Sequence, residues 1–501
     1  GQGRFCARPT TVDVCRDGST IYFLLPGATS MTDKTSEQHT HMPREKCGVF
    51  GIFGHPDPAL MTHFGLYALQ HRGEEGAGIV VSDGSSLEAY RKMGHVSELD
   101  PEHIRNMKGM AAIGHVRYST TGSSVFSNVQ PLFARLSGGQ IAVAHNGNLV
   151  NSKQIHDQLE HRGSIFQTSN DSETILHLLA QPEFCDRKDR IEKALGKLRG
   201  AFSFVFLTRD ALYAARDWHG YRPLTLGKLD DAWVVASETT AYDLIGAQYV
   251  REIEPGEVLR IDKSGLTSSR VACEDPKTRA HCIFEHVYFA RPDSLVFARL
   301  VYDSRIESGR QLVREAPVDA DVVVPVPDSG VVAGIGYSKE SGIPLEMGFI
   351  RNHYVGRTFI LPDQSDREAK VRLKLNVVPQ ILKGKRVVVV DDSIIRGNTT
   401  RSRVKFLRRA GAKEIHMRIA CPPTRFPCYY GIDFPDPKSL IAHTSSIDEI
   451  CEVIGADSLA YLSEDGLLDA VGGTRDTFCT ACFTGDYAVK PKGGVSKNQL
   501  E

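Results

Sequence analysis

The stretch that decides the fold is Val387-Val-Val-Val-Asp-Asp-Ser-Ile-Ile-Arg-Gly-Asn-Thr-Thr400. Four consecutive valines read as a strand buried on both faces, the pattern of a parallel sheet. Two carboxylates, Asp391 and Asp392, stand at its carboxyl end, where open α/β sheets bind ligands. A turn holding Ser393, Arg396, Gly397, Asn398, Thr399 and Thr400, its phosphate contacts expected from Ser393, Gly397, Thr399 and Thr400, then opens a helix with Val404, Leu407 and Ala410 on its apolar side, ending at Gly411. Backbone N–H groups and hydroxyls at such a helix start suit a phosphate. The aspartates call for another partner, a sugar diol or Mg²⁺. Phosphate, diol and metal together describe a phosphorylated ribose. An aspartate pair after a strand also occurs without a ligand, so the weight rests on the whole pattern.

Working outward, 501 residues leave room for two or three domains, and 41% hydrophobic content supports real cores. The net charge of −1, with no long basic run, argues against nucleic acid as the partner. No apolar run reaches membrane-spanning length; the run at 21–25 is too short. Eleven cysteines, an odd number spread over a large chain, favour a reducing, cytoplasmic setting with functional or metal-bound thiols over a disulfide framework. Residues 1–46 are polar and irregular and read as a leader that is removed, with Met31 and Met42 as alternative starts.

Ordered structure is expected from Cys47-Gly-Val-Phe-Gly-Ile-Phe-Gly54, which alternates like a half-buried strand. A helix over 58–70 should follow, with Leu60, Phe64, Tyr67 and Leu69 on its apolar face. Then come His71-Arg-Gly-Glu-Glu-Gly-Ala-Gly78, Gly114-His-Val-Arg-Tyr-Ser-Thr120, Ala144-His-Asn-Gly-Asn148 and Asn170-Asp-Ser-Glu173, among strand-like runs at 79–81, 141–144, 202–207 and 233–237. Each block is expected at a strand end or in the turn after it.

These blocks, in this order, resemble the glutaminase domain of class II glutamine amidotransferases over residues 47–275. The resemblance implies an N-terminal-nucleophile hydrolase with an αββα sandwich. Cys47 would be the nucleophile that attacks the glutamine amide. With no separate histidine base, its own α-amine, of pKa near 7.7 when free, would move the proton. The mature chain would then begin at Cys47. Asn146 and the Gly147 N–H would form the oxyanion hole. Arg117 would pair with the glutamine α-carboxylate, Asp171 with its ammonium, and Arg72 would support the site. The plainer readings are a buried structural thiol, a surface ion pair and an Asn-Gly turn.

The 387–400 stretch resembles the phosphoribosylpyrophosphate (PRPP) motif of type I phosphoribosyltransferases, placing a parallel α/β domain at 276–470. Asp321-Val-Val-Val-Pro-Val-Pro-Asp-Ser-Gly330 repeats the strand-then-loop logic and resembles the pyrophosphate loop, with Asp328, Ser329 and Gly330. The resemblance implies Mg²⁺ held by Ser329, Asp391 and Asp392. Between the loops lies a basic, polar stretch that the resemblance makes a mobile flap, with Arg351, Tyr354, Arg357 and Lys370; a solvated charged loop is the alternative.

Cys282-Ile-Phe-Glu-His-Val-Tyr-Phe-Ala-Arg-Pro-Asp-Ser294 resembles the segment that joins the two halves of glutamine PRPP amidotransferases. That likeness extends over residues 47–488. Within the subset carrying a [4Fe–4S] cluster, the ligands match Cys282, Cys428, Cys479 and Cys482, the last two in a tail at 471–501. A four-cysteine zinc site is the chemical rival. Cys6, Cys15, Cys185, Cys273, Cys421 and Cys451 are read as structural. The resemblance implies ammonia release from glutamine, transfer to Mg-PRPP, inhibition by purine nucleotides and a homotetramer. Two other classes are a glutaminase head on a different synthase, which would not need the 387–400 loop, and a nucleotide sensor, which would not need Cys47 and Asp391 intact.

Overall fold

Strand β1, Gly48–Phe53, lies at the middle of a sheet, hydrogen-bonded on both edges, and all six of its residues are buried. The half-buried strand expected from its alternation is therefore a fully buried one, because a helix covers one face and a second sheet the other. The computed structural model describes residues 47–118, 122–185, 187–271, 279–353, 375–432, 436–490 and 500, within the compact unit His41–Glu501. The expected leader and Tyr354, Arg357 and Lys370 lie outside the described residues.

The next strands in chain order are β2 Gly76–Ser82, β3 Leu87–Met93, β4 Ala111–Arg117, β5 Leu132–Leu136, β6 Gly139–Leu149, β7 Gly200–Thr208 and β8 Ala211–Arg216. They continue with β9 Thr225–Leu229, β10 Ala232–Ala236, β11 Gln248–Glu252, β12 Glu257–Asp262 and β13 Gly265–Arg270. One sheet has the order β11-β9-β10-β1-β4-β2-β3 and the other β13-β12-β8-β7-β6-β5. Their inner faces meet through Val49, Val80 and Ile113 from the first and Ala142, Val205 and Leu212 from the second. Helices Pro58–Ala68 and Thr240–Ile245 supply Leu66 and Tyr242 to the outer face of the first sheet. Helices Ser152–His161, Glu173–Leu179 and Arg190–Leu195 supply Ile155, Leu176 and Leu195 to the outer face of the second. Four layers, αββα, result.

The face expected for the first helix is corrected in part: Leu69 is completely buried as expected, but Phe64 and Tyr67 are not. Phe64 is 39% and Tyr67 51% exposed, while Thr62, His63, Gly65 and Leu66 are buried. Gly65 sits so near the Phe50 ring that a Cβ would strike it. Close approach to β1, and not side-chain size, chooses the buried face. A second difference concerns the block at 170–173, which opens helix Glu173–Leu179 and does not end a strand.

The second half holds four parallel strands in the order Val322–Pro325, Arg386–Asp391, Glu414–Ile419, Ser458–Tyr461. Val387, Val388, Val389 and Val390 are completely buried, as two-sided covering of a parallel strand requires. Each of the first two strands runs into a tight loop and a helix, Val331–Ser341 and Asn398–Arg409. A short strand β14, His281–Cys282, pairs in parallel with Phe478–Cys479, so the joining segment and the tail meet. No helix among the described residues is long and apolar enough to cross a membrane.

Candidate active site

Antiparallel pairing of β1 with β4 sets Gly48 opposite Val116, which brings Cys47 beside Arg117 and Tyr118. The Cys47 thiol is buried and donates to the Tyr118 carbonyl at 3.3 Å. Burial pushes its pKa up to about 11, against smaller downward pulls from that hydrogen bond and the Arg117 charge. At neutral pH the group is a thiol, so nucleophilic attack requires a base. Asp171 and Glu75 also act electrostatically on the sulfur, which puts them in the same site.

Arg117 is buried and donates to Glu75 Oε2 at 3.4 Å and to the Ser123 carbonyl at 3.1 Å. Asp171 accepts from the Leu149 N–H at 2.9 Å and from the Ser172 hydroxyl at 3.3 Å. Asn146 is buried at the end of β6, and its Nδ2 has no hydrogen-bond partner among the described residues. A buried amide N–H₂ without an acceptor is costly unless an incoming group satisfies it. Gly147 has φ +154, and a Cβ there would strike the Ala201 carbonyl. The position therefore tolerates only glycine without reshaping the β6–β7 pair.

Arg72 lies beneath the nucleophile. Its Nε–H donates to the Cys47 carbonyl at 3.0 Å, and its two Nη groups reach Glu285 at 3.0 and 2.8 Å. Nη1 also bonds Glu238. All three side chains are fully buried. Glu238 in turn accepts from the Arg291 N–H at 3.0 Å and the Ser294 hydroxyl at 2.6 Å. Arg222 completes the group on Glu285 at 3.1 Å. Glu238 and Glu285 were not among the residues singled out from the sequence. The available signal was a glutamate inside the otherwise apolar run that begins at Cys282.

The second site is a pocket lined by residues 391–397 with Thr399, Thr400 and Arg403. Gly397 has φ +76 and immediately precedes helix Asn398–Arg409. Asp391 and Asp392 are buried at the strand end, and the Ser393 hydroxyl donates to Asp392 at 2.6 Å. Burial raises the Asp391 carboxyl, and the Arg403 charge beside it is the main pull in the other direction. The neighbouring loop docks directly: the Val326 N–H donates to the Val390 carbonyl at 2.9 Å, and Gly330 packs too close to that oxygen for a Cβ. Ser329 Oγ is buried there without a partner among the described residues. Asp328 is exposed and bonds Arg351. The structure thus brings Asp328, Ser329 and Gly330 to the side of the 391–400 loop, with Arg351 joined to them.

A third cavity is lined by Cys282, Cys428, Cys479 and Cys482 with Tyr221, Phe284, Tyr430 and Tyr487. None of the four thiols is in a disulfide. Burial raises the pKa of each, and Arg222 pulls Cys282, Cys428 and Cys479 the other way.

Two family models match the chain: a glutamine amidotransferase domain over residues 115–243 and a phosphoribosyl transferase domain over residues 307–433. The chain is 51% identical to amidophosphoribosyltransferase 1, chloroplastic, of Arabidopsis thaliana, over 95% of this chain and 85% of that one. It is 48% identical to the amidophosphoribosyltransferase of Bacillus subtilis, over 88% of this chain and 94% of that one. The solved B. subtilis glutamine PRPP amidotransferase, complexed with ADP and GMP, superimposes with a TM-score of 0.86 at 46% identity, covering 91% of this chain and 100% of that one. A structure described as the allosteric regulatory enzyme of purine biosynthesis gives 0.87 at 47% identity, covering 91% and 99%. With both catalytic halves matched and the identity sustained across nearly the whole length, the chain belongs to the amidophosphoribosyltransferase family.

Proposed function

We propose that the family's reaction, amidophosphoribosyl transfer at the first step of purine biosynthesis, is divided here between two sites. The first, a glutaminase domain at 47–275, cleaves glutamine. The Cys47 thiol attacks the side-chain amide carbon while its proton passes to the α-amine of the same residue, freed by removal of residues 1–46. Asn146 Nδ2 and the Gly147 N–H hold the developing oxyanion. Arg117 and Asp171 bind the α-carboxylate and ammonium. Ammonia leaves with the returned proton, a thioester remains, and water releases glutamate.

The second site, in a transferase domain at 276–470, binds PRPP. The 5-phosphate lies on the turn of Ser393, Arg396, Gly397, Asn398 and Thr399. Asp391 and Asp392 take the ribose diol, and Asp328, Ser329 and Gly330 take the pyrophosphate. Ser329, Asp391 and Asp392 would hold Mg²⁺, which when bound neutralises charge on the leaving pyrophosphate; a buried Ser329 Oγ with no partner among the described residues fits a cation ligand. Arg351, paired with Asp328, would meet the pyrophosphate end. Ammonia crossing from the first site displaces pyrophosphate at ribose C1 and gives 5-phosphoribosylamine. Purine nucleotides occupy the same ribose-phosphate site and inhibit, in keeping with ADP and GMP in the B. subtilis complex. We place the enzyme in a reducing, cytoplasmic setting, as a homotetramer.

Cys282, Cys428, Cys479 and Cys482 fit a [4Fe–4S] cluster better than a zinc ion. Tetrahedral Zn–S bonds near 2.3 Å would bring the sulfurs to about 3.8 Å of one another. Among the described residues no three of these sulfurs fall within 4.8 Å. The cluster would supply a covalent tie between the joining segment and the tail at 471–501.

The observation that carries this reading is the pairing, in one chain, of a buried thiol beside an unpartnered Asn146 amide with an acid pair over a helix-start pocket. The test is PRPP-dependent pyrophosphate release with glutamine and with free ammonia. Activity with both supports the division. Release with neither defeats it.

A further inference from the structure

Helix Asn398–Arg409 turns a cation inward. Its buried residues are Thr400, Arg403, Val404, Phe406 and Leu407, so Arg403 occupies a position where an apolar residue is the rule. Its Nη1 donates to Asp391 Oδ2 at 2.6 Å, while Asp391 Oδ1 accepts from the Asp392 N–H at 3.1 Å. Arg403 also lines the pocket, and its Nε–H has no hydrogen-bond partner among the described residues.

The surroundings make this pair distinctive. Two buried carboxylates stand side by side, and the other groups that feel their charge are of little direct help. Tyr288 and Cys421 are buried groups held neutral. Arg305 senses Asp392, but its Nε and Nη2 are taken by the carbonyls of His286 and Ala290 at 2.8 Å each. Arg403 makes the direct ion pair with the acid pair.

We infer that Arg403 is a positioning residue for the phosphoribosyl substrate: it fixes the orientation of Asp391 at the pocket rim and offsets one of the two adjacent negative charges. Asp392 is left to face an incoming diol or cation with net charge of one. The inference rests on the assignment of the PRPP site to residues 391–400. A guanidinium committed to one carboxylate keeps the pair from repelling itself apart before substrate arrives.

The experiment uses the full chain with Arg403→Met, Arg403→Lys, Asp391→Asn and the double variant Asp391→Asn/Arg403→Met. Two quantities are read: KM for PRPP and kcat in the ammonia-dependent reaction, and calorimetric binding of ribose 5-phosphate in EDTA, which needs neither metal nor turnover. Arg403→Met is expected to raise KM at least tenfold and weaken ribose 5-phosphate binding to a similar degree. Arg403→Lys should recover most of the loss. The double variant removes both members of the ion pair and should bind no worse than Asp391→Asn alone. Unchanged KM and binding in Arg403→Met, or losses that add in the double variant, would overturn the inference. If Asp391→Asn itself leaves PRPP use intact, the assignment of the site falls instead.

Discussion

Arg72 donates its Nε–H to the backbone carbonyl of Cys47 at 3.0 Å, so the residue that carries the thiol is held by a guanidinium that is itself completely buried. The guanidinium is balanced by Glu238 from the sandwich and Glu285 from the joining segment. The position of the nucleophile therefore depends on residues more than 160 positions away in sequence.

Removing one member of such a group leaves a buried charge without its counterion, at a cost of about 3–5 kcal/mol. Glu285→Gln is expected to lower stability by that order in urea unfolding. It should also slow glutamine hydrolysis more than ammonia-dependent synthesis, because the slackened residue is Arg72 under Cys47. Equal losses in both reactions would place the effect of Glu285 elsewhere.

At the oxyanion position the expected split is sharper. Asn146→Ala should reduce glutamine hydrolysis by about 10²–10³ in kcat, the usual effect of deleting one preorganised donor. Cys47→Ala should abolish it. Both variants should retain ammonia-dependent synthesis. Intact-mass measurement of active wild-type enzyme should give a chain starting at Cys47 if, as proposed, the α-amine is the base. Active enzyme that keeps residues 1–46 would remove the amine from the mechanism.

Much of this was legible locally. Val387, Val388, Val389 and Val390 announce a two-sided strand, and their burial follows from composition alone. The 391–400 turn is continuous in sequence, so its pocket could be read before its geometry was known. The helix over Pro58–Ala68 shows where local reading stops: Phe64 and Tyr67 looked like inward residues, and the close approach of Gly65 to Phe50 left them exposed. Glu238, Glu285 and Arg403 were missed for a related reason. A charged residue inside an apolar pattern looks like an exception until the partner that neutralises it is known, and the partners of Arg72 lie 166 and 213 residues distant.

Acid should destabilise the protein earlier than carboxylate titration would. His115 and His286 are buried, and desolvation lowers each to about 3. Below pH 6.5 the unfolded chain takes up protons at these positions and the folded chain does not. Stability is therefore fully present above about pH 6.5 and falls as pH drops toward 3, by about 1.4 kcal/mol per pH unit for each group. His115 Nε2 is hydrogen-bonded to the His145 carbonyl at 3.0 Å, a contact a glutamine amide can make. Urea unfolding at pH 7.0 and 5.5 should show a shallower acid slope for His115→Gln. An unchanged slope would mean that His115 does not stay neutral through this range.

The four-cysteine cavity gives the most decisive measurement. Its four cysteines come from three separated stretches: β14, the 427–432 loop, and the tail. The tail offers few large apolar side chains: Phe478 and Phe483 pack into the transferase core, and Tyr487 and Val489 pack against a small cluster around Tyr430. It also shares a two-residue parallel ladder with β14, in which Cys282 lies opposite Cys479. That much contact is small against the entropy of ordering the segment, so a metal bond should dominate its retention. Enzyme purified without oxygen is expected to contain about four iron and four sulfide per chain, with a broad visible absorbance. Cys428→Ser should lose both and become sensitive to protease within 471–490. Stoichiometric zinc without sulfide would replace the cluster by a metal staple. A metal-free protein with a protease-resistant tail would show that packing alone holds it.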